Sequence, residues 1–154
     1  MSFPATHPAL DRALADRGYA EPTPVQEAVL EGDHSGADLL VSAQTGSGKT
    51  VAFGLAAAPT LLGEAERFGK ADKPLALVIA PTRELALQVA TELTWLYAGT
   101  DAKLGTCVGG MDARKEARAL GWGTHIVIGT PGRLKDHIDR GNLDLSQLKL
   151  VVLD

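Results

Sequence analysis

Cysteine is all but absent from this 154-residue chain. Cys107 stands alone, which excludes an internal disulfide and a cysteine metal cluster. Its place in an apolar run, Leu104-Gly105-Thr106-Cys107-Val108, suits a buried small hydrophobe. No apolar stretch approaches the roughly 20 residues that span a bilayer. The opening Met1-Ser2-Phe3-Pro4 lacks a basic region followed by an apolar one. Both features argue for the cytoplasm and against a membrane partner. Positive charge is not in excess either: the formal net charge is −4. There is therefore no global electrostatic case for nucleic acid, and any such contact must be local and geometric. Repeats and low-complexity tracts are missing as well. What remains, 45% hydrophobic and 22% charged residues, is the composition of one soluble globular domain with a substantial core.

Against these absences one segment carries dense chemistry. Ala43-Gln44-Thr45-Gly46-Ser47-Gly48-Lys49-Thr50 follows a short apolar run, Asp38 to Ser42, and precedes a buried helix pattern, Val51 to Ala58. Strand, glycine loop and helix is the context a phosphate-binding loop requires. Gly46 and Gly48 let successive backbone N–H groups turn toward phosphate oxygens, and the helix start adds about half a positive charge. Lys49 is then placed to reach the β- and γ-phosphates, and the Thr50 hydroxyl to hold Mg²⁺. Asp154, after the apolar Val151-Val152-Leu153, reads as the metal-positioning acid of the same site. The usual loop pattern opens with Gly where this chain has Ala43. A flexible Gly/Ser turn with a chance Lys-Thr after it is the alternative.

Strands and helices alternate along the rest of the chain. Leu75 to Ala80 is a continuous apolar strand of the kind covered on both faces, and Leu85, Ala86, Val89, Ala90, Leu93, Leu96 and Tyr97 follow at helical spacing up to a stop at Gly99. A strand around Cys107 leads to Gly109-Gly110 and a charged helix, Asp112 to Leu120, stopped by Gly121. Strand Ile126 to Ile128, helix Pro131 to Arg140 and strand Leu148 to Leu153 complete the series. Glu64 to Lys73 reads as a polar surface loop. This order predicts an α/β fold, a parallel sheet with helices on both faces and right-handed crossovers. The expected division is a helical segment over 1–34 and a nucleotide-binding α/β unit over 35–154.

In the front segment a short helix, Ala9 to Arg17, ends at Gly18, and Tyr19-Ala20-Glu21-Pro22-Thr23-Pro24-Val25-Gln26 turns into another. Gln26 has two readings. It closes a capping box onto the Thr23 amide, with Pro24 at the first helical position; or its amide exchanges hydrogen bonds with the N6 and N7 edge of adenine.

Taken together, these residues resemble the DEAD-box ATP-dependent RNA helicases. Gly18-Tyr19 through Pro22-Thr23-Pro24-Val25-Gln26 is similar to the family's adenine-recognising Q motif. Ala43 to Thr50 matches its form of the phosphate loop, which begins with Ala. Pro81-Thr82-Arg83-Glu84-Leu85-Ala86, Gly109-Gly110 and Thr130-Pro131-Gly132-Arg133 resemble the three RNA-contacting motifs of the first RecA-like domain, and Val151-Val152-Leu153-Asp154 the strand entering the motif that names the family. The resemblance implies ATP and Mg²⁺ as cofactors, with Lys49, Thr50 and Asp154 at the catalytic centre and Thr50 and Asp154 on the metal. It implies adenine selection by Gln26 with Tyr19, a stacking aromatic further upstream for which Phe3 is the candidate, and a structural role for Glu84. Its implied partners are RNA, gripped along the backbone without reading sequence, and a second RecA-like domain carrying an arginine finger.

The residue chemistry agrees with such a grip. Thr82 and Thr130 each follow an apolar strand and precede a helix, so their hydroxyls and the free helix N–H groups make phosphate sites. Arg83 and Arg133 add bidentate contacts, and Gly109-Gly110 permits close backbone approach. The alternatives are plain N-capping for both threonines, an ion pair with Glu84 or another acid for Arg83, and one with Asp136 or a neighbouring carboxylate for Arg133. By the resemblance, the glutamate that activates water would follow Asp154, so turnover is expected of the parent protein and not of this stretch alone; the alternative to the helicase reading is a nucleotide-binding module without turnover. The strand expected next would lie between Leu39-Ser42 and Leu148-Leu153, and an unpaired seam there invites self-association.

Overall fold

A computed structural model describes residues 7–18, 21–24, 26, 48–110 and 112–154. Its helices are α1 (Pro8–Asp16), α2 (Lys49–Leu62), α3 (Arg83–Leu96), α4 (Ala113–Gly121) and α5 (Pro131–Asp139), and its strands are β1 (Ala76–Ile79), β2 (Leu104–Cys107), β3 (Ile126–Gly129) and β4 (Leu150–Leu153). The strands pair only in parallel, in the order β2-β3-β1-β4. The α/β fold class expected from the alternating pattern is the one observed.

Strand alternation divides the core into two layers. Ala76 and Val78 of β1 and Ile126 and Ile128 of β3 point to one face, where they pack with α2, α3 and Leu10 and Leu14 of α1. Leu77 and Val127 point to the other, against Cys107, Leu134 of α5 and Leu143. The continuous apolar run of β1 is thus explained by cover on both sides. On β4 the two faces differ: Leu150 and Val152 join the first layer, whereas Val151 and Leu153 are exposed.

The phosphate-loop helix is locked to its neighbour by a small residue. Gly54 of α2 faces Leu93 and Leu96 of α3 so closely that a Cβ would sit 2.7 Å from Leu96 Cδ2, and the buried Tyr97 hydroxyl donates to the Gly54 carbonyl at 2.6 Å. The α2 backbone therefore lies directly on α3. Burial alone pushes the Tyr97 phenol upward, so it remains a neutral donor.

Element ends differ from expectation in instructive ways. The α3 helix stops at Tyr97, and Gly99 falls inside a short 3-10 turn, Ala98–Thr100; the left-handed residue is Asp101. Gly121 is the last residue of α4, and Gly123 is the one with positive φ, where a Cβ would strike the Ala71 carbonyl. The 64–73 segment is also more than a polar loop. Ala71 is buried, the Phe68 amide donates to the Thr100 carbonyl, and the Phe68 ring stacks on His125 at 4.5 Å. His125 accepts from the Lys103 amide through Nδ1 and meets the Gly69 carbonyl through Nε2. Desolvation lowers its pKa, so it holds the loop as a neutral ring.

Gly129, at the carboxyl end of β3, has no room for a side chain: a Cβ would lie 2.5 Å from the Cys107 carbonyl oxygen and 2.8 Å from Leu134 Cδ2. Gly132, three residues on, would meet nothing. Gly129→Ala is expected to destabilise the domain by about 1–3 kcal/mol, an overpacking cost against rigid backbone, while Gly132→Ala leaves stability within about 0.5 kcal/mol. Urea unfolding of both variants measures the difference.

Candidate nucleotide and nucleic-acid site

Parallel pairing lines up the ends of all four strands. Cys107, Gly129, Ile79 and Leu153 stand level across the sheet, so the next residues, Val108, Thr130, Ala80 and Asp154, form the carboxyl edge. Backbone bonds stitch that edge: Asp154 N–H donates to Ile79, Ala80 N–H to Gly129 and Thr130 N–H to Cys107, at 2.9, 2.9 and 3.0 Å. With neighbouring strands roughly 4.8 Å apart, the row is about 14 Å long. Pro81, Thr82, Gly109, Gly110, Pro131 and Gly132 continue directly from it, where ligands bind in open α/β sheets.

At the β4 end Lys49, the first residue of α2, forms an ion pair with Asp154. The Asp154 side chain is 1% exposed, and apart from that pair neither carboxylate oxygen has a hydrogen-bond partner among the described residues. A buried carboxylate with so few donors depends on an adjacent cation. Thr50 follows in the same first helical turn. These are hard oxygen donors of the type Mg²⁺ takes, so the residues present fit the metal that the sequence implies. Residues 43–47 of the loop, Tyr19 and Phe3 lie outside the described residues.

Gln26 is fully buried. Its Oε1 accepts from the Thr23 amide at 3.0 Å while the Thr23 hydroxyl accepts from the Gln26 amide at 3.3 Å, a reciprocal capping box. In addition its Nε2 donates to the Gly48 carbonyl at 3.2 Å. Gly48 has φ +83, and a Cβ there would lie 2.3 Å from Gln26 Nε2. Capping thus does not compete with a place beside the phosphate loop: one carboxamide does the first and adjoins the second. By valence, one N–H and one oxygen lone pair of Gln26 remain beyond these partners.

The two threonines part company. Thr82 caps α3, its hydroxyl accepting from Leu85 N–H at 3.2 Å. Thr130 occupies the N-cap of α5 without a side-chain cap bond. Arg83 reaches across to the second motif: a Cβ on Gly110 would lie 2.9 Å from its Nη1. Three motifs that are separate in sequence therefore converge on one edge.

Arg133 is held from behind by a residue that motif reading passed over. Its Nη1 donates to Glu116 Oε1 at 2.8 Å, while Asp136, the carboxylate named first as its alternative partner, pairs instead with Arg140. Glu116 lies on α4 and is 8% exposed. The same Oε1 meets His137 Nε2 at 2.9 Å, and Oε2 accepts from the Val108 amide at 2.9 Å. A charged helix was legible in Asp112 to Leu120; that one of its charges turns inward was not. The apolar spacing offered a hint, since α4 has no large apolar residue between Ala113 and Leu120 with which to meet β2. Beside the network, burial and then the Glu116 charge push the Cys107 thiol up to about 12, and the residue is almost fully buried, in keeping with a neutral packing role.

Among the described residues no helix is long and apolar enough to cross a membrane. The model of the DEAD/DEAH box helicase family matches residues 23–154. The chain is 46% identical over 146 residues to the ATP-dependent RNA helicase DeaD of Haemophilus influenzae, covering 93% of this chain and 22% of that protein. It is 42% identical over 149 residues to DEAD-box ATP-dependent RNA helicase 53 of Oryza sativa subsp. japonica, covering 96% and 24%. It is 41% identical over 143 residues to the ATP-dependent RNA helicase DbpA of Bacillus subtilis, covering 93% and 29%. The chain thus spans about a quarter of the length of these relatives. With the family model matched from Thr23 to the last residue, and the family's motifs gathered on one sheet edge, the chain belongs to the DEAD/DEAH box helicase family.

Proposed function

We propose that this chain is the ATP-binding, RNA-contacting domain of an ATP-dependent RNA helicase, whose parent protein couples ATP hydrolysis to separation or remodelling of RNA duplexes. The observation that carries this reading is the Lys49–Asp154 pair at the end of a row that also holds Thr82, Gly109-Gly110 and Thr130.

In this reading the Ala43–Thr50 loop receives the phosphates of ATP. The Lys49 ammonium moves from Asp154 to phosphate oxygen, exchanging one anion for another of higher charge. Asp154 is then a buried carboxylate without a cation, and with the Thr50 hydroxyl it would hold Mg²⁺, which would supply compensating positive charge to the phosphates. Gln26 offers its remaining N–H and lone pair to the adenine edge, a donor and acceptor pair that guanine does not match. Tyr19 flanks that position. RNA lies along the carboxyl edge, where the first N–H groups of α3 and α5 and the backbone at Gly109-Gly110 face phosphates; such contacts position a strand without reading its bases. The second RecA-like domain closes over both ligands in the parent protein. These residues supply binding and orientation, and this activity belongs in the cytoplasm.

Two outcomes test the nucleotide part. By calorimetry the chain should bind ATP more tightly than GTP, and equal affinities would sink the adenine role of Gln26. Lys49→Ala should weaken ATP binding about 10- to 100-fold, the range for a lost hydrogen bond to a charged group. The same substitution strands the Asp154 carboxylate. Because Lys49 is partly exposed, the stability loss is expected at about 1–3 kcal/mol, below the full cost of breaking a buried pair. Adding Asp154→Asn should recover much of it in urea unfolding. Full stability of Lys49→Ala alone would show that the pair is not what makes the buried Asp154 tolerable.

A further inference from the structure

Glu116 belongs to none of the motifs, yet its one carboxylate touches the two RNA-facing turns that flank it in space. Oε2 accepts from the Val108 amide, the last peptide before Gly109-Gly110. Oε1 accepts from Arg133, the residue that closes Thr130-Pro131-Gly132-Arg133, and meets His137 one helical turn further along α5. The partners come from the end of β2 and from α5, and lie 8, 17 and 21 residues away in sequence.

Each bond answers a specific need. β2 is an edge strand of the described sheet, so at its end the Val108 N–H has no neighbouring strand to take it, and a buried amide left unpaired costs about 1–3 kcal/mol. His137 is buried, and its Nδ1 meets the Asn142 side-chain nitrogen at 3.2 Å. With that nitrogen donating, Nδ1 is the acceptor and Nε2 carries the proton given to Glu116. Among the described residues, Arg133 is the Lys or Arg side chain that pairs with Glu116. Once Arg133 is taken away, a buried carboxylate is left uncompensated, which proteins strongly disfavour. Arg133 is thereby kept in one orientation.

Two residues of this network, Glu116 and His137, together with Cys107 bring ligand atoms within 4.8 Å of one another. A cation site is the weaker use of that geometry, because both carboxylate oxygens already accept hydrogen bonds and the guanidinium adjoins them.

We infer that Glu116 is a positioning residue for RNA binding: it couples the Gly109-Gly110 turn to the Thr130–Arg133 turn, so that the two present their phosphate contacts as one rigid unit. The inference rests on the RNA-contacting reading of this edge. Gln is the diagnostic replacement. It keeps the shape but offers one oxygen, so its NH₂ must face either the Val108 N–H or the Arg133 guanidinium, donor against donor.

The test uses the full 154-residue chain with a single-stranded oligouridylate, and reads RNA affinity by anisotropy alongside ATP affinity by calorimetry. Glu116→Gln should weaken RNA binding on the order of tenfold, a coupling typical of residues in one network, with ATP affinity unchanged. General loss of structure would lower both. Arg133→Gln should have a similar effect, and the Glu116→Gln, Arg133→Gln double variant should bind RNA about as well as the poorer single one. Additive losses, or undiminished RNA binding by Glu116→Gln, would overturn the coupling alone. Should Glu116→Gln fail to fold, His137→Gln breaks the same network from the far side, and unchanged RNA affinity there overturns the inference equally. An unsubstituted chain that binds ATP but no RNA would instead remove the RNA reading, and this inference with it.

Discussion

Among the described residues, the candidate site depends on parallel strand pairing in one register. Because β2, β3, β1 and β4 run the same way and end level, the residues that follow them emerge along a single edge. Each of these ends is bonded to its neighbour through a backbone amide, so the edge is continuous across the four strands. A shift of one residue in any pairing would invert the faces of a strand and also draw its motif out of line. Close contacts without side chains guard this arrangement: Gly129 lets the β2 end and α5 meet, and Gly54 seats the phosphate-loop helix on α3.

Electrostatics along that edge are arranged in pairs. At one end a buried carboxylate, Asp154, is neutralised by a partly exposed lysine; toward the other, a buried carboxylate, Glu116, is neutralised by Arg133 and satisfied by two further donors. The two differ in how many bonds hold them. Asp154 has little beyond its cation among the described residues, so a change of cation there would break a single interaction. Glu116 is bonded through both oxygens, and removing any partner exposes an unmet need. The first arrangement suits a group that changes partners during a cycle, and the second a fixed joint.

Much of this was legible in the residue order. Alternation of apolar runs with helical spacing announced the sheet and its cover, since periodicity reports which faces are buried. Lys49 and Asp154 were both assigned to one site from their local spacing, and the structure pairs them. The stops were read less well: Gly99 and Gly121 looked like helix ends, but Asp101 and Gly123 carry the positive φ, because the chain continues past each helix until the next packing constraint. For Gln26 the two readings seemed exclusive on paper. In three dimensions the capping bond to Thr23 is present, and the other end of the same amide also bonds Gly48.

By itself the sequence determined the chemistry on offer and its order along the chain: a phosphate loop, an acid at the end of an apolar strand, threonines and glycines after other strands. Local spacing suffices for these, because each motif is a strand end and a helix start that neighbour one another in the chain. Only the tertiary structure decided which groups spend their hydrogen bonds on the protein. It committed the Thr82 hydroxyl to its helix and left Thr130 without a cap bond, and it turned Glu116 inward to Arg133 instead of leaving that arginine to Asp136. Such choices join residues from different elements, and whether a charge faces water or a partner depends on burial and on donors brought in from elsewhere. No periodicity along one segment carries that information.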